Sequence, residues 1–523
     1  MKIYLLLIIL LGVFLRLYLL LDFPIQLNHD EVTQLYDAIS IAQTGKDIYG
    51  NFLPFIFPSV EDFKPPFYTY LTSFFYFFFG GGELTIKLPG VIFGVLLIPA
   101  SFMFVLKLLK NKQIALISAL FTAIAPFEIF FSRKGFENGA GIFLMLVGFI
   151  CIFTYFEKRK SLYLYLASGI FASAMYTYFS HAIIIPLLLL SFFIIFRKYF
   201  SNLKKLFLPL LTFILLCLPL FLMILVNPDT RYRSETVFVT QDINLGKQID
   251  YGNKYKAILD FSFNRYLNQF NPIYLFGNGL DLTHQGPIGA GPLLLIQFPF
   301  LILGIIYFIK KIDLAEQKKF MFFWIILGTL PSGLTFEAHS PHRIVMVFTM
   351  LNIVSAVGLY YFLKSARKFI PLIFLLFLAN FIYFTHIYFV NFPFEKSQYL
   401  QYPFKQVSQF AWSQYDNVDQ IIFDPLYGEV APMIGTGAHY FMAYYGGYPP
   451  IKFQKEYRRG DKEREVLFDK FSIRKVDWRE DQNLKNVLII ASSWSLPTDV
   501  DKTKIIKTFY FYNHQPAFYA IKL

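Results

Sequence analysis

Long apolar runs broken by short clusters of lysine and arginine fill most of the chain, and the pattern changes only near its C-terminal end. A helix needs about 20 mostly apolar residues to cross the roughly 30 Å hydrocarbon core of a bilayer. Such runs occupy residues 3–21, 86–106, 113–131, 140–156, 162–180, 182–196, 206–226, 292–309, 320–336, 344–363 and 369–390, which predicts about eleven transmembrane helices. One further apolar stretch, 65–79, is shorter and sits between Pro65-Pro66 and Gly80-Gly81-Gly82, so it is expected to lie along the membrane surface. From residue 395 charged residues become frequent and apolar residues come in short runs. There, 402–412 reads as an amphipathic helix and 420–423, 486–490, 507–512 and 517–521 as strands. The expected fold is an all-α polytopic membrane region, 1–394, followed by a soluble α/β domain, 395–523.

Charge gives the predicted helices a direction. If 65–79 does not cross, eighteen lysines and arginines fall on alternate connections on one side of the membrane, opposed there only by Glu157, Asp313 and Glu316. By the positive-inside rule that side is cytoplasmic, which puts the N-terminus inside and both 22–85 and 227–291 outside as loops, with the C-terminal domain extracytoplasmic. The net charge of +13 is thereby accounted for as an orientation signal, and nothing recommends a nucleic-acid partner. Charged residues make up 16% of the 523 residues, against about 25% in soluble proteins, which excludes an ordinary soluble or disordered chain. Segment 3–21 retains Arg16 and lacks a small-x-small cleavage site, so it reads as a first crossing and not as a signal peptide. Both cysteines, Cys151 and Cys217, lie in apolar runs and support neither a disulfide nor a zinc framework.

No predicted crossing carries an ionisable side chain near its centre, which counts against an ion-coupled transporter. Polar groups gather on the outer loops instead: His29-Asp30-Glu31, Lys64, Arg133 and Glu137, Arg231 and Arg233, Arg265, His284, and His339 to Arg343 including His342. A carboxylate that takes a proton from an incoming hydroxyl, near cations that hold a phosphate leaving group, suits group transfer from a phosphate. Each group also has a plainer reading. Asn28 and Glu31 have capping-box spacing, so Asp30 stands in a helix start. Lys64 suits lipid head groups, Arg133 and Glu137 are four apart as in a helical ion pair, and Arg343 suits a helix-end anchor. His339 and His342 lack a clear third metal ligand. Tyr444 to Tyr448, tempting as a sugar platform, reads better as a turn. Two rival classes remain: a lipid or sugar transporter or flippase, and a scaffold displaying the outer domain.

Asp30-Glu31, Lys64-Pro65-Pro66, Lys87-Leu88-Pro89 and Ser132-Arg133 before Glu137, in that order, resemble the GT-C fold glycosyltransferases, the group that includes protein O-mannosyltransferases and the lipid A aminoarabinose transferase. His339 to Arg343, and Asn271-Pro272 through His284 to Gly291, resemble the bacterial branch with an outer C-terminal domain. The resemblance implies an inverting enzyme of the cytoplasmic membrane that passes a sugar from a polyprenyl-phosphate donor to an acceptor lipid, glycan or protein on the outer face. It implies Asp30 as base with Glu31 next in line, Lys64 with Arg231, Arg233 or Arg265 on the donor phosphate, and His29, Arg133, Glu137, His339, His342 and Arg343 as substrate-binding candidates. No cofactor and no metal is expected, although a related oligosaccharyl branch uses a divalent ion on acidic residues.

Overall fold

A computed structural model of the chain describes residues 1–59, 62–200, 203–226, 237–242, 245–246, 253–280, 286–312, 314–336, 339–427, 437–462, 464–498 and 500–523. It divides into two compact units, one made of Met1–Leu20, Pro65–Tyr68 and Lys87–Asn391 and the other of Leu21–Lys64, Thr69–Ile86 and Phe392–Leu523.

The first unit is helical. Every apolar run read as a crossing holds a helix: Lys2–Leu17, Glu83–Leu109, Lys112–Ile124 with Pro126–Arg133, Asn138–Lys158, Leu162–Met175, Phe179–Phe196, Lys204–Val226, Gln297–Lys311, Ala315–Gly333, Pro341–Ser365 and Ile370–His386. Among the described residues, six helices are long and apolar enough to cross a membrane, or seven if the pair 112–133 counts as one bent span. The others fall short in length or, like Ala315–Gly333 with Glu316, Lys318 and Lys319 near its start, in apolar character. The pair is bent by 50° because Pro126 offers no N–H to continue the ladder and holds Ala125 in an extended conformation (φ −61°, ψ 131°).

Burial orders these helices. In Pro341–Ser365, 89% of the apolar window is buried, against 17% in Lys204–Val226, so the former is the core and the latter faces outward. Gly304 and Gly358 let helices Gln297–Lys311 and Pro341–Ser365 touch backbone to backbone: a Cβ on Gly358 would collide with the Phe300 carbonyl, and one on Gly304 with that of Val354. Trp324, fully buried, packs its ring tilted against Phe149 (ring centroids 5.2 Å) and donates its indole N–H to the Met346 carbonyl at 3.0 Å.

The second unit is mixed. A hairpin joins β1 (Phe57–Ser59) to β2 (Asp62–Lys64), with Phe57 opposite Lys64. The tail forms a sheet of β3 (Gln420–Phe423), β4 (Arg458–Arg459), β5 (Val466–Phe468), β6 (Phe471–Ile473), β7 (Val487–Ser492), β8 (Ile505–Tyr510) and β9 (Pro516–Lys522), in the order β4-β5-β6-β3-β7-β9-β8. β3 runs parallel to both β6 and β7, and the remaining pairings are antiparallel. Every residue of β7 is buried, as the continuous apolar run Val487-Leu-Ile-Ile-Ala491 requires of a central strand covered on both faces. The amphipathic helix Pro403–Ser413 packs Phe404 edge-on against Phe423 at 5.4 Å. Helix His29–Thr44 belongs to this unit too: Tyr36 donates its hydroxyl to the Tyr448 carbonyl at 2.7 Å, and Gln454 donates to Ser40 Oγ and to the Asp47 carbonyl, each at 2.9 Å. Tyr444 to Tyr448 is a helix end and a turn, with Gly447 in the left-handed region at φ +66°.

Candidate active site

Helix His29–Thr44 starts on a complete capping box: Asn28 accepts from the Glu31 N–H at 2.9 Å, and the Asn28 N–H donates to Glu31 Oε2 at 3.0 Å. Glu31 is thereby engaged in building the helix start, and the box leaves Asp30, which lies between its two members, for other partners. Asp30 Oδ1 stands 2.9 Å from Lys64 Nζ, the Lys64 side chain 11% exposed and that of Asp30 21% exposed. The β1–β2 hairpin ends at Lys64, and Pro65 follows it. The other carboxylate oxygen, Oδ2, faces His29 Nε2 at 3.9 Å, while His29 Nδ1 meets Gln401 Oε1 at 3.2 Å. Gln401 holds a left-handed backbone (φ +57°) and also accepts from Gln26 Nε2 through its carbonyl. Thus His29, Asp30, Glu31 and Lys64 come together as one cluster, joined by Gln26 and Gln401. No motif pointed to those two glutamines, and the unusual φ of Gln401 is visible only in the structure.

The remaining candidates among the described residues lie in the helical unit. Arg133 is fully buried, donating to the carbonyls of Leu15 (3.0 Å), Arg16 (3.2 Å) and Leu19 (3.0 Å), with Nε 3.3 Å from the Tyr388 hydroxyl. Glu137 is also buried, just before helix Asn138–Lys158. His342 packs its ring edge-on against Phe131 at 4.7 Å and Phe136 at 5.3 Å, and Asn138 Nδ2 donates to its carbonyl at 2.9 Å. His339 sits 4.4 Å from the Tyr274 ring, with Nε2 3.2 Å from the Asn268 carbonyl, and burial pushes its imidazole below the usual range. Arg343 donates to Thr335 Oγ1 at 2.7 Å, and Arg265 pairs with Asp242 at 2.6 Å while lying over the Phe261 ring. Arg231, Arg233 and His284 lie outside the described residues. Among the described residues no three His, Cys, Asp or Glu side chains gather as metal ligands do.

Residues 63–226 match the family model described as dolichyl-phosphate-mannose-protein mannosyltransferase. Comparison with curated proteins by sequence finds no match. Among solved structures, ArnT from Cupriavidus metallidurans bound to undecaprenyl phosphate has a TM-score of 0.57 at 12% identity, over 99% of this chain and 96% of that one. The Archaeoglobus fulgidus oligosaccharyltransferase in complex with Zn and sulfate has a TM-score of 0.52 at 15% identity, over 85% of this chain and 61% of that one. The oligosaccharyltransferase AglB from Archaeoglobus fulgidus in complex with an inhibitory peptide and a dolichol-phosphate has a TM-score of 0.50 at 12% identity, over 85% of this chain and 63% of that one. This chain therefore spans less than two thirds of the archaeal protein. Its fold is that of the GT-C glycosyltransferases, as the resemblance in the sequence implied.

Proposed function

We propose that the protein is an integral membrane glycosyltransferase that passes a sugar from a polyprenyl-phosphate donor to a hydroxyl or amine of an acceptor lipid, glycan or protein, with inversion at the anomeric carbon, on the extracytoplasmic face of the cytoplasmic membrane. The observation that carries this reading is the Asp30–Lys64 pair at 2.9 Å. The match of residues 63–226 to a dolichyl-phosphate-mannose-dependent family supports it, as do the undecaprenyl phosphate and dolichol-phosphate bound to structural neighbours.

A polyprenyl phosphate is already a competent leaving group, so its departure needs charge balance more than a general acid. A neutral hydroxyl is a poor nucleophile until its proton is removed. Asp30 takes the acceptor proton, the acceptor oxygen bonds to the anomeric carbon on the face opposite the phosphate, and the carbon–oxygen bond to the phosphate breaks with its electron pair leaving on the lipid. Lys64 turns its ammonium from Asp30 to the phosphate as the donor binds. Because Asn28 and Glu31 cap the helix, Asp30→Asn removes the base and leaves the helix start intact. Purified Asp30→Asn is expected to unfold at the wild-type temperature and to lose transfer about a hundredfold or more. Turnover near wild type with a polyprenyl-linked donor would reassign the base.

Sidedness follows the basic connections. Single cysteines placed at Lys112 and Lys205 are expected to resist an impermeant reagent in intact cells, and cysteines at Lys64 and Ser397 to react with it. Labelling at 112 would reverse the orientation and move the proposed site to the other face.

A further inference from the structure

Far along the chain from the Asp30 cluster, helices Asn138–Lys158, Leu162–Met175, Phe179–Phe196 and Lys204–Val226 leave a cavity of about 560 Å³ between them. Its size is that of a site for a sizeable small molecule, commonly about 300–1,000 Å³. The wall is almost wholly apolar. Its one hydroxyl, on Ser168, hydrogen-bonds the carbonyls of Leu164 (3.0 Å) and Pro209 (2.7 Å), so the wall offers water little to bond. Leu190, Phe207, Leu210 and Ile214 line the cavity and are also exposed, so it opens sideways through the outward-facing surface of these helices. At its end a second cavity of about 490 Å³ shares Phe200 and Leu203 with the first and adds Arg197 and Lys198. Lys198 pairs with Glu316, whereas Arg197 is exposed at the mouth, and exposed Lys204 and Lys205 open the next helix.

An open apolar slot ending in a cationic mouth has the shape and charge of a lipid with a hydrocarbon tail and an anionic head. We infer that this is a binding site for an anionic phospholipid, with one acyl chain in the slot and the phosphate on Arg197. The mouth belongs to the basic connections that set the proposed inner face, so the occupant is a phospholipid of that leaflet. The polyprenyl donor, by the proposed chemistry, is needed on the other face; only this choice between two anionic lipids rests on that reading.

Native mass spectrometry of the full chain in neutral detergent, titrated with phosphatidylglycerol, phosphatidylcholine or undecaprenyl phosphate, tests the site. Phosphatidylglycerol is expected to bind about tenfold tighter than phosphatidylcholine, and Arg197→Ala to reduce that preference about fivefold, as loss of one cation near an anionic head group does. Leu210→Trp, which fills the slot, should remove one bound phospholipid. Arg197→Ala alters an exposed side chain, so it tests the site even if Leu210→Trp fails to fold. Equal binding of the two phospholipids to the wild type, or an unchanged preference in Arg197→Ala, overturns the inference. So does undecaprenyl phosphate displacing phosphatidylglycerol from this site at equal affinity, an outcome that would make the slot part of the donor's path. Loss of transfer in Asp30→Asn bears on the proposed chemistry alone and moves none of these readings.

Discussion

Three fully buried cations of the helical unit and three ion-paired cations of the mixed unit are held in different ways. In the helical unit Arg16 donates to the carbonyls of Gly12, Thr122 and Ala123, Lys87 to that of Leu20, and Arg133 to those of Leu15, Arg16 and Leu19, although Arg343 donates to a hydroxyl and Arg265 pairs with Asp242. In the mixed unit Lys64 meets Asp30, the part-exposed Lys405 meets Glu83 at 2.7 Å, and Arg474 forks onto Asp481 at 2.7 and 2.8 Å. Where no water reaches a helix end, its last carbonyls need donors, and a long cation supplies several at once. Where a carboxylate sits in a partly wetted cluster, the pair is exchangeable, and an incoming phosphate can compete for the cation. Motif position alone puts Arg133 and Lys64 in the same category; their partners separate them.

The sharpest break of that contrast is Arg133→Ala. It strips donors from the Leu15 and Arg16 carbonyls at the end of helix Lys2–Leu17 and from that of Leu19 in the turn beyond it, at a cost of roughly 2–4 kcal/mol. The variant is expected to unfold at markedly lower denaturant, with the Michaelis constant of any surviving activity unchanged. Wild-type stability with a raised Michaelis constant would instead make Arg133 a substrate contact and erase the distinction from Lys64.

A second variant tests a fully buried carboxyl of the mixed unit, Asp37. Burial, with Asp47 adding to it, pushes Asp37 well above the usual carboxylate range, against the pull of the Ile48 N–H at 3.0 Å. A carboxyl whose folded value is raised favours folding fully below its unfolded value near 4 and loses that contribution as pH rises toward the folded value. Asp37→Asn keeps the Oδ1 acceptor for Ile48 and removes this loss. It is expected to raise the unfolding temperature at pH 7 by about 2–4 °C, the shift worth ~1 kcal/mol in a unit of this size, and to bring no gain at pH 4. The same gain at both pH values would show that the carboxyl's charge is not what matters.

How much of this was legible in the sequence follows from the range of the interactions. Apolar runs of 15 to 22 residues became helices because their hydrophobicity is summed locally, and β7 and β9 were readable as apolar strands for the same reason. β4, two exposed residues at a sheet edge, and the three-residue β5 and β6 carry too little pattern to be read alone; pairing fixes them outward from β3, with β6 on β3, β5 on β6 and β4 on β5. The capping box was readable from Asn28 and Glu31, because it spans three residues. Asp30 and Lys64 were each readable as site candidates, but their ion pair depends on how the chain folds back between them. Arg133's partners were hidden for a different reason: backbone carbonyls leave no mark on side-chain identity. Gln401, 372 positions from His29, had no motif at all.

Gln401 supplies the smallest and most separable test, because its side chain and its backbone do different things. The side chain meets His29, which flanks Asp30, and the backbone sits at φ +57°, where a Cβ costs about 1 kcal/mol that glycine avoids. Gln401→Ala removes the contact and keeps the strain; Gln401→Gly removes both. Both variants are expected to lower transfer by the same few-fold factor, since each frees the imidazole to turn away from Asp30. The glycine variant should be the more stable of the two by about 1 kcal/mol in denaturant unfolding. Equal stability would mean that the surrounding contacts, and not the backbone, hold this turn. Unequal transfer would mean that the loop conformation, more than the glutamine amide, positions His29.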